Sequence, residues 1–408
     1  MPPAPSNSPS PAGAIAQAAS GDARRKFVFV SYGALDSNSG GHVFGFANGL
    51  VAMGHSVAVC GTGDILHAYG HGRPAFEFFA VDDFARVPQA VIGFDGTFDP
   101  QRTVILCWTP REVVRRAVEP VAERFSIPYL VHLEDNEKHL TKVWRGARKL
   151  GGFRKRPVPD GRSDLSKLEP FLAGAAGITL IEARLQEVLP PTLPVLVLAP
   201  GVDLARLAEP LPAARNATIR RAVGVPAYAP LIVYPGNVHR ANVEEVRQLY
   251  EAVRLLNDRS VFLVRTGTDF VDAAFLKDIS SEKGVVALGQ VDRPFLLDLL
   301  KCADLFVQPG APGPFNDYRL PSKLPEFMAI GRPIVLPATN VGAQLKHGID
   351  AMLLNEGTPM EIAGHVAAVL EDAELATRLS ANARAFAERH YRWDEQVRKL
   401  DAFVRQVA

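Results

Sequence analysis

KFVFVSYGALDSNSGGHVFGFANGLVAMGHSVAVC, residues 26–60, is the stretch from which the fold is read. Lys26–Ser31 is a continuous apolar, β-rich run of the kind a strand shows when helices cover both its faces. Tyr32 to Gly41 follows as a loop of small residues. His42–Met53 then puts Val43, Phe46, Ala47 and Leu50 on one face at helical spacing, and Gly54 supplies the stop. Ser56–Cys60 is a second apolar strand. Strand, loop, helix and strand in this order make a βαβ unit.

Working outward, strands are expected at Thr103–Trp108, Tyr129–Leu133, Gly177–Ile181 and Val195–Leu198, with helical stretches between several of them. The pattern then restarts. Leu231–Tyr234 reads as a strand and Pro235–Ala241 as a loop, after which Asn242 opens a helix with apolar face Val243, Val246, Tyr250 and Val253. Glu245 is expected to complete its capping box. Val261–Val264, Val285–Leu288, Leu305–Gln308 and Pro333–Leu336 read as further strands. The fold class is therefore α/β, with two tandem Rossmann-like domains and a cleft between them. The expected divisions are a disordered tail at 1–22, a first domain at 23–200, a hinge at 201–214, a second domain at 215–385 and a terminal helix at 386–408.

Composition narrows the function classes. The chain has 408 residues, 47% of them hydrophobic and 22% charged, which suits a soluble two-domain protein. A net charge of +1 lacks the basic surplus of a nucleic-acid binder. Cys60, Cys107 and Cys302 are scattered in apolar stretches, so core thiols in a reducing, cytoplasmic compartment are expected, and no metal site. No apolar run is long enough to span a bilayer, and the N-terminus lacks the pattern of a signal peptide. The basic segment from Arg145 to Arg162 reads first as a solvated loop. Its second reading is a patch for peripheral contact with an anionic membrane or acceptor.

The loops carry the chemistry. A dehydrogenase fingerprint fails at YGALDSNSGGHVFG, and Gly61 with Gly63 reads as a turn. Gly40 and Gly41 at the mouth of a helix suit either close approach of an anion or a simple flexible turn. PGAPGPFNDYRLPSKLPEFMAIG, residues 309–331, crosses the top of the second sheet, with Ser322 expected to cap a short helix that Gly331 stops. Ser322 and Lys323 suit a diphosphate there, and Glu326 suits ribose hydroxyls; the alternative is a surface pair between Lys323 and Glu326. Arg240, Arg265 and Arg319 come from loops on the same sheet edge, where cations stabilise a departing pyrophosphate.

These residues resemble the retaining glycosyltransferases of family 4, which have the GT-B fold. The resemblance runs from about Lys26 to the C-terminus. It rests on Gly40-Gly41 with GLVAMGHSVAV, on LAPGVDLARL, on RLPSKLPEFMAIGRPIV and on NVGAQLKHGIDAMLL, with YRWDEQVRKL matching the family's closing segment, which crosses back to the first domain. The resemblance implies that Glu326 binds the donor ribose, that Ser322 and Lys323 lie beside the diphosphate, that Gly41 meets the donor phosphate, and that Gln290 and Val291 hold the nucleobase. Three positions depart from the family pattern. Tyr318 stands where the first motif glutamate belongs, with Asp317 beside it; Gly236-Asn237 replaces Gly-Arg; and Glu134-Asp135 replaces His-Asp, with His132 two residues earlier.

The expected reaction is transfer of a sugar from a nucleoside-diphosphate sugar, the co-substrate, to an acceptor hydroxyl, with retention and without a metal or other cofactor. Lys323, Arg265 and Arg240 are expected to stabilise the departing diphosphate, with Gly236, Asn237, Asp317, Tyr318 and Arg319 also in the donor site. Glu134 or Asp135 is expected to orient the acceptor hydroxyl or assist proton transfer, beside His132 and Asn136. Asn38, Trp108 and Arg111 are further acceptor candidates. The acceptor class is open among glycans, lipid-linked molecules and small molecules. A catalytically inactive binding module, which binds without turnover, and an epimerase, which turns over without acceptor, are the competing functions.

Overall fold

The computed structural model describes residues 24–35, 37–63, 73–146, 161–190, 192–271 and 284–408, with only the backbone of 142–146. The expected tail at 1–22 and most of the basic 145–162 segment lie outside the described residues.

The first domain is a seven-stranded parallel sheet of order β3-β2-β1-β4-β5-β6-β7. Its strands are β1 Lys26–Ala34, β2 Ser56–Thr62, β3 Glu77–Ala80, β4 Thr103–Trp108, β5 Tyr129–Leu133, β6 Gly177–Leu180 and β7 Val195–Val197. The central strands are buried on both faces, which is why they read as unbroken apolar runs. The second domain has two three-stranded parallel sheets, β10-β9-β8 and β11-β12-β13, joined side by side by a bridge between Ile232 and Leu305. These strands are β8 Leu231–Pro235, β9 Phe262–Thr266, β10 Val285–Ala287, β11 Phe306–Val307, β12 Ile334–Pro337 and β13 Met352–Leu354.

Three local expectations need correction. The first helix runs Asn38–Ala52, beginning four residues before His42, because the Ser37 side chain accepts from the Gly40 amide and caps it early. Gly40 and Gly41 thus lie in its first turn. A Cβ on Gly40 would come within 2.3 Å of the Ala34 carbonyl, so this glycine is required by packing against the end of β1. The capping box at Asn242 is not formed: its amide donates to His239 O at 3.0 Å, and Glu245 points elsewhere. Ser322 is not a cap either. The helix is Leu324–Ile330, seven residues long, with no side-chain cap, though Gly331 ends it in the left-handed region (φ 72°) as expected.

The stretch read as a hinge, 201–214, holds the helix Leu204–Ala208 and the start of the helix Ala213–Ala222. Val202 donates to Tyr391 O at 2.9 Å and bridges Arg392, so the outgoing and returning chain segments run side by side. The final helix, Trp393–Val407, then packs on the first domain. Trp393 sits over Gly45, where a Cβ would lie 2.1 Å from its ring, and Asp401 pairs with His55 at 3.2 Å. Cys60, Cys107 and Cys302 are buried and free, and burial raises each thiol's pKa. Among the described residues no helix is long and apolar enough to cross a membrane.

Candidate functional site

In open α/β sheets, ligands collect at the carboxyl ends of the strands. In the first domain β5 ends at Leu133 and delivers Glu134, Asp135 and Asn136 to that edge. Glu134 accepts from Ser39, from His42 Nδ1 at 2.7 Å and from Trp108 Nε1 at 3.0 Å. Burial raises its carboxyl pKa, but the His42 and Ser39 bonds and the nearby imidazoles outweigh that and hold it at about 2. Glu134 is therefore a fixed anion and a poor proton acceptor, which removes it as the base that its position suggests. His42, one residue past the glycine pair, is the partner that sequence reading missed.

His132 is not an acceptor ligand. It is 2% exposed, stacked on Trp108 at 3.7 Å between ring centroids, and bonded to Thr179 through Nδ1 at 2.8 Å. Burial lowers its pKa to about 3, so it stays neutral. Trp108 is likewise core, at 1% exposure. Asp135 behaves differently. It faces the cleft, and loss of water raises its pKa against the pull of Arg111, which lies 3.6 Å away. Arg111 is buried, pairs with Glu137 at 3.0 Å and lies over the Tyr32 ring, so it is an internal counter-ion and no acceptor contact. Burial raises Glu137 to about 6 in spite of that arginine. Asn136 Oδ1 accepts from the His139 amide at 3.0 Å and so starts the helix Glu137–Gly146. Asn38 is exposed.

The second wall is built from glycines and cations. Half-buried Lys323 places Nζ 4.0 Å from the centroid of the Tyr234 ring, and a Cβ on Gly236 would come within 2.9 Å of that Nζ. Loss of water pushes Lys323 down to about 7, Arg319 adds to the shift, and Glu245 opposes it. Gly267 (φ 106°) packs so tightly on Gly236 that a Cβ there would meet the Gly236 carbonyl at 2.6 Å. Its amide donates to Gly289 O at 2.7 Å, which brings the Gln290–Val291 loop alongside.

Several expected donor residues are held otherwise. Arg265 belongs to β9 and is 2% exposed; its guanidinium is taken by Tyr250 Oη at 2.7 Å and Asp269 at 2.8 Å, so it is an internal ion pair and no leaving-group contact. Arg240 is exposed and makes no hydrogen bond or ion pair among the described residues. Asn237 Oδ1 accepts from the Thr268 amide at 2.8 Å and braces the turn. Glu326 pairs with Arg293 across helices, one contact being 3.2 Å, and not with Lys323.

Asp317 and Tyr318 do not offer a carboxylate to the second wall. Asp317 accepts from Thr339 Oγ1 at 2.6 Å and from the Gly313 amide at 2.9 Å, and meets Arg184 of the first domain at 3.5 Å. Tyr318 Oη donates to Glu187 of the first domain at 3.0 Å, with Arg184 over its ring. Both residues thus serve the junction between domains. Below that junction a small cleft is lined by Asp135, Asn136 and His139 on one side and Phe315, Tyr318 and Arg319 on the other. Among the described residues no group of three or more His, Cys, Asp or Glu could hold a metal ion.

Comparison with known proteins bears on the fold and on the second domain. Residues 229–372, the bulk of the second domain, match the family model of Glycosyl transferases group 1. D-inositol 3-phosphate glycosyltransferase of Thermobispora bispora is 27% identical over 221 residues, which is 50% of this chain and 49% of that protein. The protein of the same name from Xylanimonas cellulosilytica is 28% identical over 208 residues, 49% of this chain and 48% of its own. The chain thus spans about half the length of the curated relatives it matches. HepE of Anabaena, solved with UDP and glucose, superposes with a TM-score of 0.70 at 16% identity, covering 93% of this chain and 99% of that one. Sucrose-phosphate synthase of Thermosynechococcus elongatus superposes with a TM-score of 0.64 at 14% identity, covering 94% and 99%. The fold is GT-B, and the chain carries a glycosyl transferases group 1 domain.

Proposed function

We propose that this chain is a glycosyltransferase that moves a sugar from a nucleoside-diphosphate sugar to an acceptor hydroxyl, with the donor on the second-domain wall and the acceptor on the first. The observation that carries this reading is Lys323, whose ammonium is held between the Tyr234 ring and the side-chain-free backbone of Gly236. A cation placed where backbone can approach a ligand is suited to an anion with several oxygens. The seven-residue helix behind it adds little dipole, so side-chain charge does most of the work.

In this reading the diphosphate meets Lys323 and Arg319, Glu326 offers its unused lone pairs to the ribose, and the base lies against Gln290 and Val291. Bond breaking builds negative charge on the departing phosphate, which the two cations stabilise without a metal. Asp135 is the cleft-facing carboxylate able to accept a hydrogen bond from the acceptor hydroxyl, while Glu134 already accepts from three donors. Retention and family 4 membership rest on the family resemblance, whose most specific mark is RLPSKLPEFMAIGRPIV, residues 319–335. A glycan, lipid-linked or small-molecule acceptor fits, and UDP conjugates are the first donors to try.

The test is thermal unfolding with UDP, GDP, ADP and their sugar conjugates, on the wild type and on Glu326→Ala. A rise with one nucleotide that the variant loses supports the donor site. No rise with any of them at millimolar concentration overturns it. A rise without turnover on any acceptor favours an inactive binding module, and turnover of the donor sugar without an acceptor favours an epimerase.

A further inference from the structure

Arg319 is the most tightly restrained cation in the cleft. Its Nε and Nη2 both donate to Asn316 Oδ1, at 3.1 and 2.7 Å, and Nη2 also reaches Glu245 Oε2 at 3.3 Å. The guanidinium lies over the Phe315 ring, 3.9 Å from its centroid. Asn316 is itself fixed, at 5% exposure: its Nδ2 donates to Glu245 Oε1 at 2.6 Å and to Ala311 O at 2.9 Å, and its carbonyl accepts from Asn340 at 2.8 Å. With Nδ2 facing Glu245, Oδ1 must face the arginine. Nε and Nη2 are thereby spoken for. Nη1, with two N–H groups, has no hydrogen-bond partner among the described residues, and Arg319 lines the cleft across from Asp135.

A second observation shows that the loop is shaped around the Glu245 carboxylate. Gly310 (φ 129°) opens the donor loop, and a Cβ there would come within 2.8 Å of Glu245 Oε1. Glu245 also forgoes its local role, since the Asn242 amide that a capping box would bond goes to His239 instead.

We propose that Glu245 and Asn316 are positioning residues that hold Arg319 with its free Nη1 aimed at the departing phosphate, an inference that rests on the transferase reading. The Nη1 group left open donates from a plane that Asn316 and Glu245 fix, an orientation that a freely rotating ammonium at that place would not keep. The carboxylate that the donor loop lacks at Tyr318 thus comes from the helix Val243–Leu255, and it acts through the arginine and not on the sugar.

The experiment is steady-state kinetics with a nucleoside-diphosphate sugar on the wild type, Glu245→Gln, Arg319→Ala, the double variant and Arg319→Lys. The expected result for Glu245→Gln is a fall in kcat of about 10- to 100-fold with donor KM changed by less than about threefold. The double variant should match Arg319→Ala, and Arg319→Lys should not restore the rate. Denaturant midpoints are recorded alongside; if Glu245→Gln does not fold, Asn316→Ala repeats the cycle. A Glu245→Gln enzyme with wild-type kcat, or losses that add in the double variant, overturns the inference alone. A wild type that turns over no donor overturns the transferase reading, and the inference with it.

Discussion

The two walls of the cleft stand on the same kind of sheet edge and carry opposite chemistry. On the first, the two residues directly after β5 are acids, and Glu134 is held as an anion by Ser39, His42 and Trp108. On the second, the loops after β8, β9 and β11 carry glycines, and the charges are Lys323, over Tyr234 beside Gly236, and Arg319, which lines the cleft. One architecture, used twice, therefore fixes where ligands sit, while the few residues past each strand end fix what they can be. The acidic wall suits hydroxyl groups and the basic wall suits phosphate.

The sharpest way to break that contrast is to remove charge from each wall in turn. Lys323→Ala should lower kcat/KM about a hundredfold or more, as loss of one preorganised contact to developing charge does. Normal turnover in that variant would end the leaving-group role. Glu134→Gln should act first on stability. Its folded pKa, about 2, lies below the ordinary 4.5, so the anion's stabilisation is complete above about pH 4.5 and is lost as pH falls through 2. The wild type should lose up to ~3 kcal/mol over that window, at about 1.4 kcal/mol for each pH unit crossed, and the variant should lack that slope in acid unfolding. Equal slopes would mean that the His42 and Ser39 bonds do not hold the charge. The smallest effect is expected where the walls meet. Tyr318→Phe removes one exposed hydrogen bond to Glu187 and should change stability by less than ~1 kcal/mol while loosening domain closure, read as faster nucleotide release. A large loss of stability would show that the junction is more than a clasp.

Much of the fold was legible in the sequence. Thr103–Trp108 and Tyr129–Leu133 form strands with the bounds their apolar runs predict, because strands covered on both faces need no alternation. The start of the first helix was not, since paired glycines read as loop, and only the Ser37 cap and the closeness of Ala34 explain why they are helical. In the site, loop chemistry pointed to Lys323 and the family resemblance to Gly236, and the structure brings the two side by side. The pairings that set their surroundings were not: His42 with Glu134, 92 residues apart, and Glu245 with Asn316, 71 apart, come together only through the sheet. Arg265 misled because its strand runs two residues further than its apolar run, which turns the side chain inward to Tyr250.

One measurement bears directly on the claim that the basic wall is a phosphate site with Lys323 at its centre. Burial leaves this lysine near pH 7 in the free protein, with Arg319 lowering and Glu245 raising it, while His239 and Tyr234 also border it. A bound diphosphate must raise it again, so at about pH 8 binding should draw in a proton. Calorimetric titration with UDP in buffers of different ionisation enthalpy reads that number. The account predicts uptake of about one proton per UDP in the wild type and none in Lys323→Met, with wild-type affinity falling about tenfold per pH unit above 7. Tight binding with no proton uptake in the wild type would contradict it.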